Sequence, residues 1–391
     1  MDEAENFLIF GAPSIGQSEI NEVIATLESG WLGTGPRVAQ FERSFSDYKG
    51  VVHAAAVSSC TAALHLSMIA AGIRPGDEVI TTAMTFCATV NAIIHTGATP
   101  IIVDIDPPTL NIDPTRIEQA ITDRTKAIIP VHFAGYPCDM SRIMAMADKY
   151  HLKVIEDCAH AIETEWRGCK TGTIGDFGCF SFYVTKNITT GEGGLVLAKS
   201  ETDIDRIKVM ALHGLSGDAW QRFGDKGYKH YQVIECGFKY NMTDMSAAIG
   251  ICQLSRIDGA WKRRREIWAH YNESLKDLPI KLPCDIPEGC RHGYHLYTVQ
   301  IDETKTGLAR DAFLQRMFEQ GIGTGVHYVC LAEHPYYQQH YSWQPEDYAH
   351  ATTAGRNTVS IPLAANLTDS DVERVVCAVR AALGDGCNGD P

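Results

Sequence analysis

No apolar run in this 391-residue chain approaches the roughly 18 residues that would suggest a membrane span. Its first residues, Met1-Asp2-Glu3-Ala4-Glu5-Asn6, lack the basic start and apolar core of a secretory signal. Basic charge is in deficit: 34 Lys and Arg stand against 48 Asp and Glu, a formal charge of −14. That balance argues against a general binder of nucleic acid or acidic membrane, because phosphate backbones attract the opposite sign. Small anionic substrates stay possible, since a local pocket can reverse the sign. Metal-ligand spacing is missing as well. The 13 cysteines and 15 histidines contain no CxxC, His-x-His or HExxH arrangement, so no metal is expected. Thirteen irregularly spaced cysteines read as reduced thiols, and the expected location is the cytoplasm. There is no internal repeat or low-complexity tract. A composition of 45% hydrophobic and 21% charged residues is that of a folded globular protein and excludes disorder, collagen and coiled coil.

What is present is an alternation. Short apolar runs at His53–Ser58, Glu78–Thr82, Pro100–Asp104, Ala127–Val131, Lys153–Asp157, Gly178–Tyr183 and Gly194–Ala198 predict strands. Between the first five, Thr61–Ala71, Cys87–Thr96, Pro114–Ile121 and Met140–Tyr150 predict helices. Nearly all-apolar strands alternating with helices imply an α/β domain whose mostly parallel sheet is covered on both faces. Residues 213–240, rich in Gly, His, Lys and Tyr, read as a long functional loop or hairpin. A long helix over Asp244–Leu275, a strand at His295–Ile301, and helices at Arg310–Gln320 and Asp369–Leu383 suggest a second, smaller α+β domain. The expected division is 1–250 and 251–391.

Ligands of such sheets bind beyond the carboxyl ends of the strands, so the residues following each strand carry the candidate chemistry. Val57 to Leu64 runs from a strand through Ser58, Ser59, Cys60 and Thr61 into a helix. A helix start offers unpaired N–H groups and partial positive charge to a phosphate, although a simple Ser N-cap explains the same residues. Glu156 and Asp157 end an apolar strand just before His160, where an acid could hold a protonated ring nitrogen or cap the next segment. Lys186 lies beyond an aromatic strand and before Gly191-Glu192-Gly193-Gly194. A lysine among apolar neighbours loses proton affinity and can form a Schiff base; the ordinary alternative is a solvated loop lysine. Phosphate cradle, acid and lysine together make the set that pyridoxal phosphate chemistry requires. The run Lys262-Arg263-Arg264-Arg265 reads as the solvated side of a helix.

With those blocks in place, the chain resembles the DegT/DnrJ/EryC1/StrS sugar aminotransferases over about residues 7 to 383, most specifically in Phe180–Gly194. Within the family, Lys186–Thr189, Gly237–Asp244 and Gly321–His327 are most similar to the UDP-4-amino-4-deoxy-L-arabinose synthase-like subgroup, which aminates 4-keto nucleotide sugars. The resemblance implies a type I PLP-dependent transferase (aspartate aminotransferase-like) fold, with a large mixed-sheet domain and a smaller α+β domain. It implies pyridoxal 5'-phosphate as cofactor, L-glutamate and a UDP-linked sugar as substrates, and a homodimer with shared sites serving lipopolysaccharide or other surface-glycan synthesis. Lys186 would carry the cofactor and move protons, Asp157 would pair with its ring nitrogen, and His160 would lie near its phenolic oxygen. Phe86 would stack on the ring. Ser59, Cys60, Thr61 and Ser181 would hold the phosphate, with Asn241 (or Lys239) reaching it from the other subunit. Gly30, Trp31, Leu32, Gly33 and His327 would contact the sugar nucleotide. Cys60 stands where the family usually has Gly or Ala. Related sugar 3-dehydratases carry His at the position of Lys186, which speaks against dehydration. C3 amination and a non-catalytic PLP- or nucleotide-sugar-binding regulator remain the alternatives.

Overall fold

In a computed structural model of the chain, residues 7–216 and 231–385 are described. A central sheet is built from β1 (Ala54–Val57), β2 (Glu78–Thr82), β3 (Thr99–Val103), β4 (Thr125–Ile129) and β5 (Lys153–Asp157). After a short hairpin, β6 (Glu165–Trp166) and β7 (Cys169–Lys170), come β8 (Phe177–Ser181) and β9 (Gly194–Ala198). The strand order is β1-β9-β8-β5-β4-β2-β3, and all neighbours pair in parallel except β9, which runs against both β8 and β1. The mixed, mostly parallel sheet is the one the apolar runs imply. Because β9 is reversed, its first residue, Gly194, lies level with the last residues of its neighbours, Val57 and Ser181. The glycine-rich turn therefore arrives at the same edge as the other strands' carboxyl ends.

Helices α3 (Cys60–Ala70), α4 (Cys87–His95), α5 (Pro114–Ala120), α6 (Met140–Tyr150) and α7 (Glu201–Ala211) connect or flank the strands. α3 is buried along most of its length. Its Ala63, Leu64 and Met68 share a core with Ile155, Phe177 and Val196 of the sheet. Two helices precede β1 and have no counterpart in the sequence reading: α1 (Gln17–Ser29) and α2 (Pro36–Lys49). α2 buries Phe41 and Phe45 against Phe182.

The expected single helix over Asp244–Leu275 is two, α8 (Asp244–Ser255) and α9 (Ile257–Leu275). The break at Arg256 needs no proline. Its N–H bonds back to Gln253, tightening the turn, while its side chain bonds the Ser14 carbonyl and Glu19. The core changes at this break: Leu254 packs with Phe41 and Phe182, whereas Trp268 and Tyr271 of α9 pack with Tyr297 and Phe313. The expected boundary at 250/251 falls inside α8.

The second core surrounds β10 (Tyr297–Gln300), paired antiparallel with β11 (Thr358–Ile361). Short α10 (Glu303–Thr306) precedes α11 (Arg310–Glu319), and α12 (Pro335–Tyr341) and α13 (Ala349–Asn357) precede β11. α14 (Asp369–Ala382) ends the described chain, started by a capping box between Thr368 and Asp371. In the expected loop 213–240, residues 217–230 lie outside the described residues; its ends pair at Leu212–Lys239 and Leu215–Val233. Eleven described cysteines, Cys60, Cys158 and Cys179 among them, are free thiols. No described helix is long and apolar enough to cross a membrane.

Candidate active site

Nine sequence-predicted residues converge on one cavity of about 580 Å³ at the carboxyl edge of the sheet: Ser59, Cys60 and Thr61 at the start of α3, Phe86, Asp157, His160, Ser181, Lys186 and His327. A cavity of this size lies in the usual range for a cofactor or small ligand.

Lys186 sits in the β8–β9 connection, its backbone N–H bonded to the Tyr183 carbonyl at 2.9 Å. Burial lowers its pKa to about 8, with the nearby Cys60 and Asp157 pulling weakly the other way. Asp157 ends β5 and is 4% exposed. One carboxylate oxygen accepts the Ala159 N–H at 3.1 Å and the other the Thr89 hydroxyl at 2.9 Å. Burial pushes this carboxyl up from its usual range, against the pull of Ala159, Thr89 and Lys186. A cation inside the cavity would reverse that push.

The phosphate and N-cap readings of Ser59-Cys60-Thr61 are both satisfied. The Ser59 hydroxyl caps α3, accepting the Ala62 N–H at 3.1 Å. The N–H groups of Cys60 and Thr61 precede the first helical bond, from Ala63 to the Ser59 carbonyl, and so stay available to an anion. Burial pushes the Cys60 thiol up, so it is a small neutral filler. Close approach here requires Gly194: a Cβ on it would stand 2.4 Å from the Ser59 carbonyl carbon and 2.6 Å from the Cys60 nitrogen. Ser181, at the end of β8, lines the same side chain cluster of the cavity.

His160 is neutral. Burial and the nearness of Lys186, His295 and His327 hold its pKa well below the usual value. Its Nδ1 accepts the Ala134 N–H at 3.2 Å, so the ring proton is on Nε2 and is donated to the Tyr328 hydroxyl at 3.0 Å. Tyr328, also in the cavity wall, thereby keeps its own hydroxyl proton for a ligand, and burial keeps it protonated. The sequence reading missed Tyr328 and Thr89. Phe86, just before α4, presents a 57% exposed side chain, its ring 5.9 Å from that of Tyr328. His327 bonds the Ser360 hydroxyl at 2.8 Å, and burial lowers its pKa to about 4.

Two expected groups lie outside this cavity. Asn241 donates to the Thr34 hydroxyl at 2.7 Å, and Thr34 donates to the Met242 carbonyl at 2.6 Å. The buried Asp244 carboxylate accepts the N–H groups of Gly35 and Val38, capping α2, and its own N–H reaches the Gly33 carbonyl. Gly30, Trp31, Leu32 and Gly33 are thus fastened to the Asn241–Asp244 turn as one unit, with Trp31 and Leu32 exposed.

Glu156, the other acid of the pair, is structural. It is fully buried and accepts the His132 ring and the N–H groups of Gly172, Ile174 and Gly175. Burial alone would raise its pKa, yet these donors hold it below the usual range. Among the described residues, His132, Glu156 and Cys158 form one compact group of possible metal ligands, and these hydrogen bonds already account for Glu156.

The Lys262–Arg265 run is not uniformly solvated, because Arg264 stands on the buried stripe of α9 with Ile257, Trp268 and Tyr271. Its guanidinium pairs with the fully buried Glu163, which also accepts from Asn187, the neighbour of Lys186. Asn187 in turn bonds His295 at 2.9 Å, anchoring the lysine loop. Arg264→Met should destabilise the fold by about 3–5 kcal/mol, since Glu163 would remain as a buried charge without its cation. Denaturant midpoints at constant m check this, and adding Glu163→Met should restore much of the loss.

The residues fit pyridoxal phosphate: a buried acid for the ring nitrogen, helix-start N–H groups and hydroxyls for the phosphate, and an amine of lowered pKa.

The chain is similar to known proteins over nearly its whole length. The model of the DegT/DnrJ/EryC1/StrS aminotransferase family matches residues 13–380. Spore coat polysaccharide biosynthesis protein SpsC of Bacillus subtilis is 46% identical over 381 residues, 97% of this chain and 98% of that one. A protein of Streptococcus pneumoniae named as a sugar aminotransferase, solved in its PMP form, superposes with TM-score 0.90 at 32% identity, covering 97% and 98% of the two chains. Its PLP form matches with the same TM-score and identity, covering 97% and 99%. Helicobacter pylori PseC, named as an aminotransferase involved in the biosynthesis of pseudoaminic acid, gives TM-score 0.89 at 26% identity, covering 97% and 99%.

Proposed function

This chain belongs to the DegT/DnrJ/EryC1/StrS aminotransferase family and takes pyridoxal phosphate as cofactor, and from that premise we propose that it transfers the amino group of L-glutamate to a 4-keto nucleotide sugar of the UDP type. The observation that carries the reaction class is the meeting of Lys186 and Asp157 in one cavity with the open start of α3. The sugar reading is supported by the relatives' names and by the resemblance of Lys186–Thr189, Gly237–Asp244 and Gly321–His327 to the 4-keto subgroup. A role in surface-glycan synthesis follows from the same likeness.

When bound, the cofactor supplies an electron sink. Lys186 would hold it covalently, and its freed Nζ would take the proton from the donor Cα and return it on the other side of the exchange. Asp157 would keep the ring nitrogen protonated, and the N–H groups of Cys60 and Thr61 would bind the phosphate. Tyr328, oriented by His160, donates its hydroxyl proton into the cavity. The balance is one amino group and the Cα hydrogen lost from glutamate, which gains a carbonyl oxygen from water to leave 2-oxoglutarate, against one sugar ketone that gives up its oxygen as water and gains that nitrogen and a hydrogen on carbon.

The unit of Gly30–Gly33 with Asn241 lies outside its own cavity and is offered to a second copy of the chain, completing the partner's site in a cytoplasmic homodimer. The test is to aminate the enzyme with L-glutamate, then offer 4-keto and 3-keto nucleotide sugars separately. Amination of the 4-keto compound is expected; turnover of the 3-keto compound alone would contradict the C4 assignment.

A pH prediction follows from the lysine. Only the neutral amine attacks a carbonyl, so uptake of pyridoxal phosphate by the cofactor-free protein should rise with pH through about 8 and level off above it. A rate still rising well above that midpoint would show an ordinary solvated lysine.

A further inference from the structure

A second cavity of about 330 Å³ adjoins the first, with Thr185 and Lys186 belonging to both walls. One face of α8–α9 lines it through Arg256, Gly259, Ala260, Arg263 and Arg264, a spacing of i, i+3, i+4, i+7 and i+8. The small residues in the middle leave room between arginines two turns apart, about 10 Å along the axis. A Cβ on Gly259 would meet nothing within 4 Å.

The charge pattern is one-sided. No Asp or Glu belongs to this wall among the described residues, whereas three arginines do. Their carboxylate partners stand outside it: Glu19 for Arg256, Asp369 and Glu266 for Arg263, Glu163 for Arg264. Arg264 is 3% exposed, and its Nε–H is buried without an acceptor among the described residues. An unsatisfied buried donor of this kind costs stability unless a ligand or water accepts from it.

The main cavity has the reverse composition. Its lining contains the acids Asp157 and Glu192, no arginine, and one lysine, the reacting one. A dicarboxylic amino donor bound at Lys186 finds no fixed cation in that wall, while guanidinium groups lie on the other side of the same lysine.

We propose that the second cavity is the carboxylate subsite for the amino donor: it takes a carboxylate of an α-amino dicarboxylate whose amine is presented beside Lys186. This rests on the transamination reading above and adds the residues that select the donor. Arg263 and Arg256 supply charge and donors, and Gly259 supplies space.

Glutarate, which has two carboxylates and no amine to transfer, is the probe. Titrated calorimetrically into holoenzyme, it should bind wild type and bind about tenfold more weakly to Arg263→Gln, the cost of a lost charge-assisted hydrogen bond. Gly259→Leu fills the space, leaves every arginine in place and should weaken glutarate at least as much, so a folding defect in the first variant does not decide the matter. In both variants the KM for L-glutamate should rise about tenfold while UDP binding and the KM for the sugar acceptor stay within twofold. Glutarate that fails to bind wild type, or binds both variants as it binds wild type, overturns the proposal. Weakened UDP binding with unchanged glutarate binding also overturns it and makes the cavity a nucleotide site. Failure of unmodified holoenzyme to accept an amino group from L-glutamate would strike the transamination reading instead, and glutarate titration reads the cavity without any turnover.

Discussion

Lys186→Ala should abolish amino transfer while leaving the fold intact, with activity falling by at least about 10²–10⁴-fold, the range for removing a positioned acid–base group. Loss of the covalent attachment makes this a lower bound. The fold should survive because Lys186 makes no ion pair among the described residues: its backbone N–H holds the turn through the Tyr183 carbonyl, and alanine keeps that bond. Neighbouring Asn187 continues to anchor the loop through Glu163 and His295. An unchanged thermal midpoint beside lost activity in both half-reactions would separate chemistry from folding. Retention of full transfer would contradict the role assigned to this lysine.

Asp157→Asn is the second large effect, and its logic is electrostatic. Asparagine is nearly isosteric, can still accept the Ala159 N–H, and can donate to the Thr89 hydroxyl, so the site keeps its shape. What disappears is the buried negative charge facing the cofactor's ring nitrogen. Removing one partner of a buried charge pair costs about 3–5 kcal/mol, which corresponds to roughly 10²–10⁴-fold in rate. A second signature distinguishes this from a packing defect. Asp157 raises the Lys186 pKa against burial, so without it the midpoint for cofactor uptake should move below about 8. A variant with normal kcat/KM, or one whose midpoint moves upward, would contradict the pairing.

Much of this site was legible because topology does the gathering. The apolar runs of β1, β5 and β8 announce themselves, and any residue just beyond such strands arrives at one edge of a parallel sheet. Reversed β9 brings Gly194 there too, readable as a glycine-rich turn before an apolar run. The unread parts failed for separate reasons. α2 carried its signal, Val38, Phe41 and Phe45 behind Pro36, at helical spacing. α1 inverts the usual pattern, burying Glu19 and Thr26 while exposing Ile20, Ile24 and Leu27, so its apolar face gives no account of its place in the fold. Arg264 was hidden inside a charge run, though it lies in register with Trp268 and Tyr271. The break at Arg256 depends on Ser14 and Glu19, over two hundred residues away. Tyr328 and the Thr34–Asn241 bond likewise exist only once distant segments have met.

The most direct test of the central claim is borohydride reduction of the protein supplied with pyridoxal phosphate, followed by peptide mass mapping. The account predicts a phosphopyridoxyl group on the peptide containing Lys186, and its loss when L-glutamate is added before the reductant. A label on another lysine, no label, or a label that L-glutamate does not remove would contradict it.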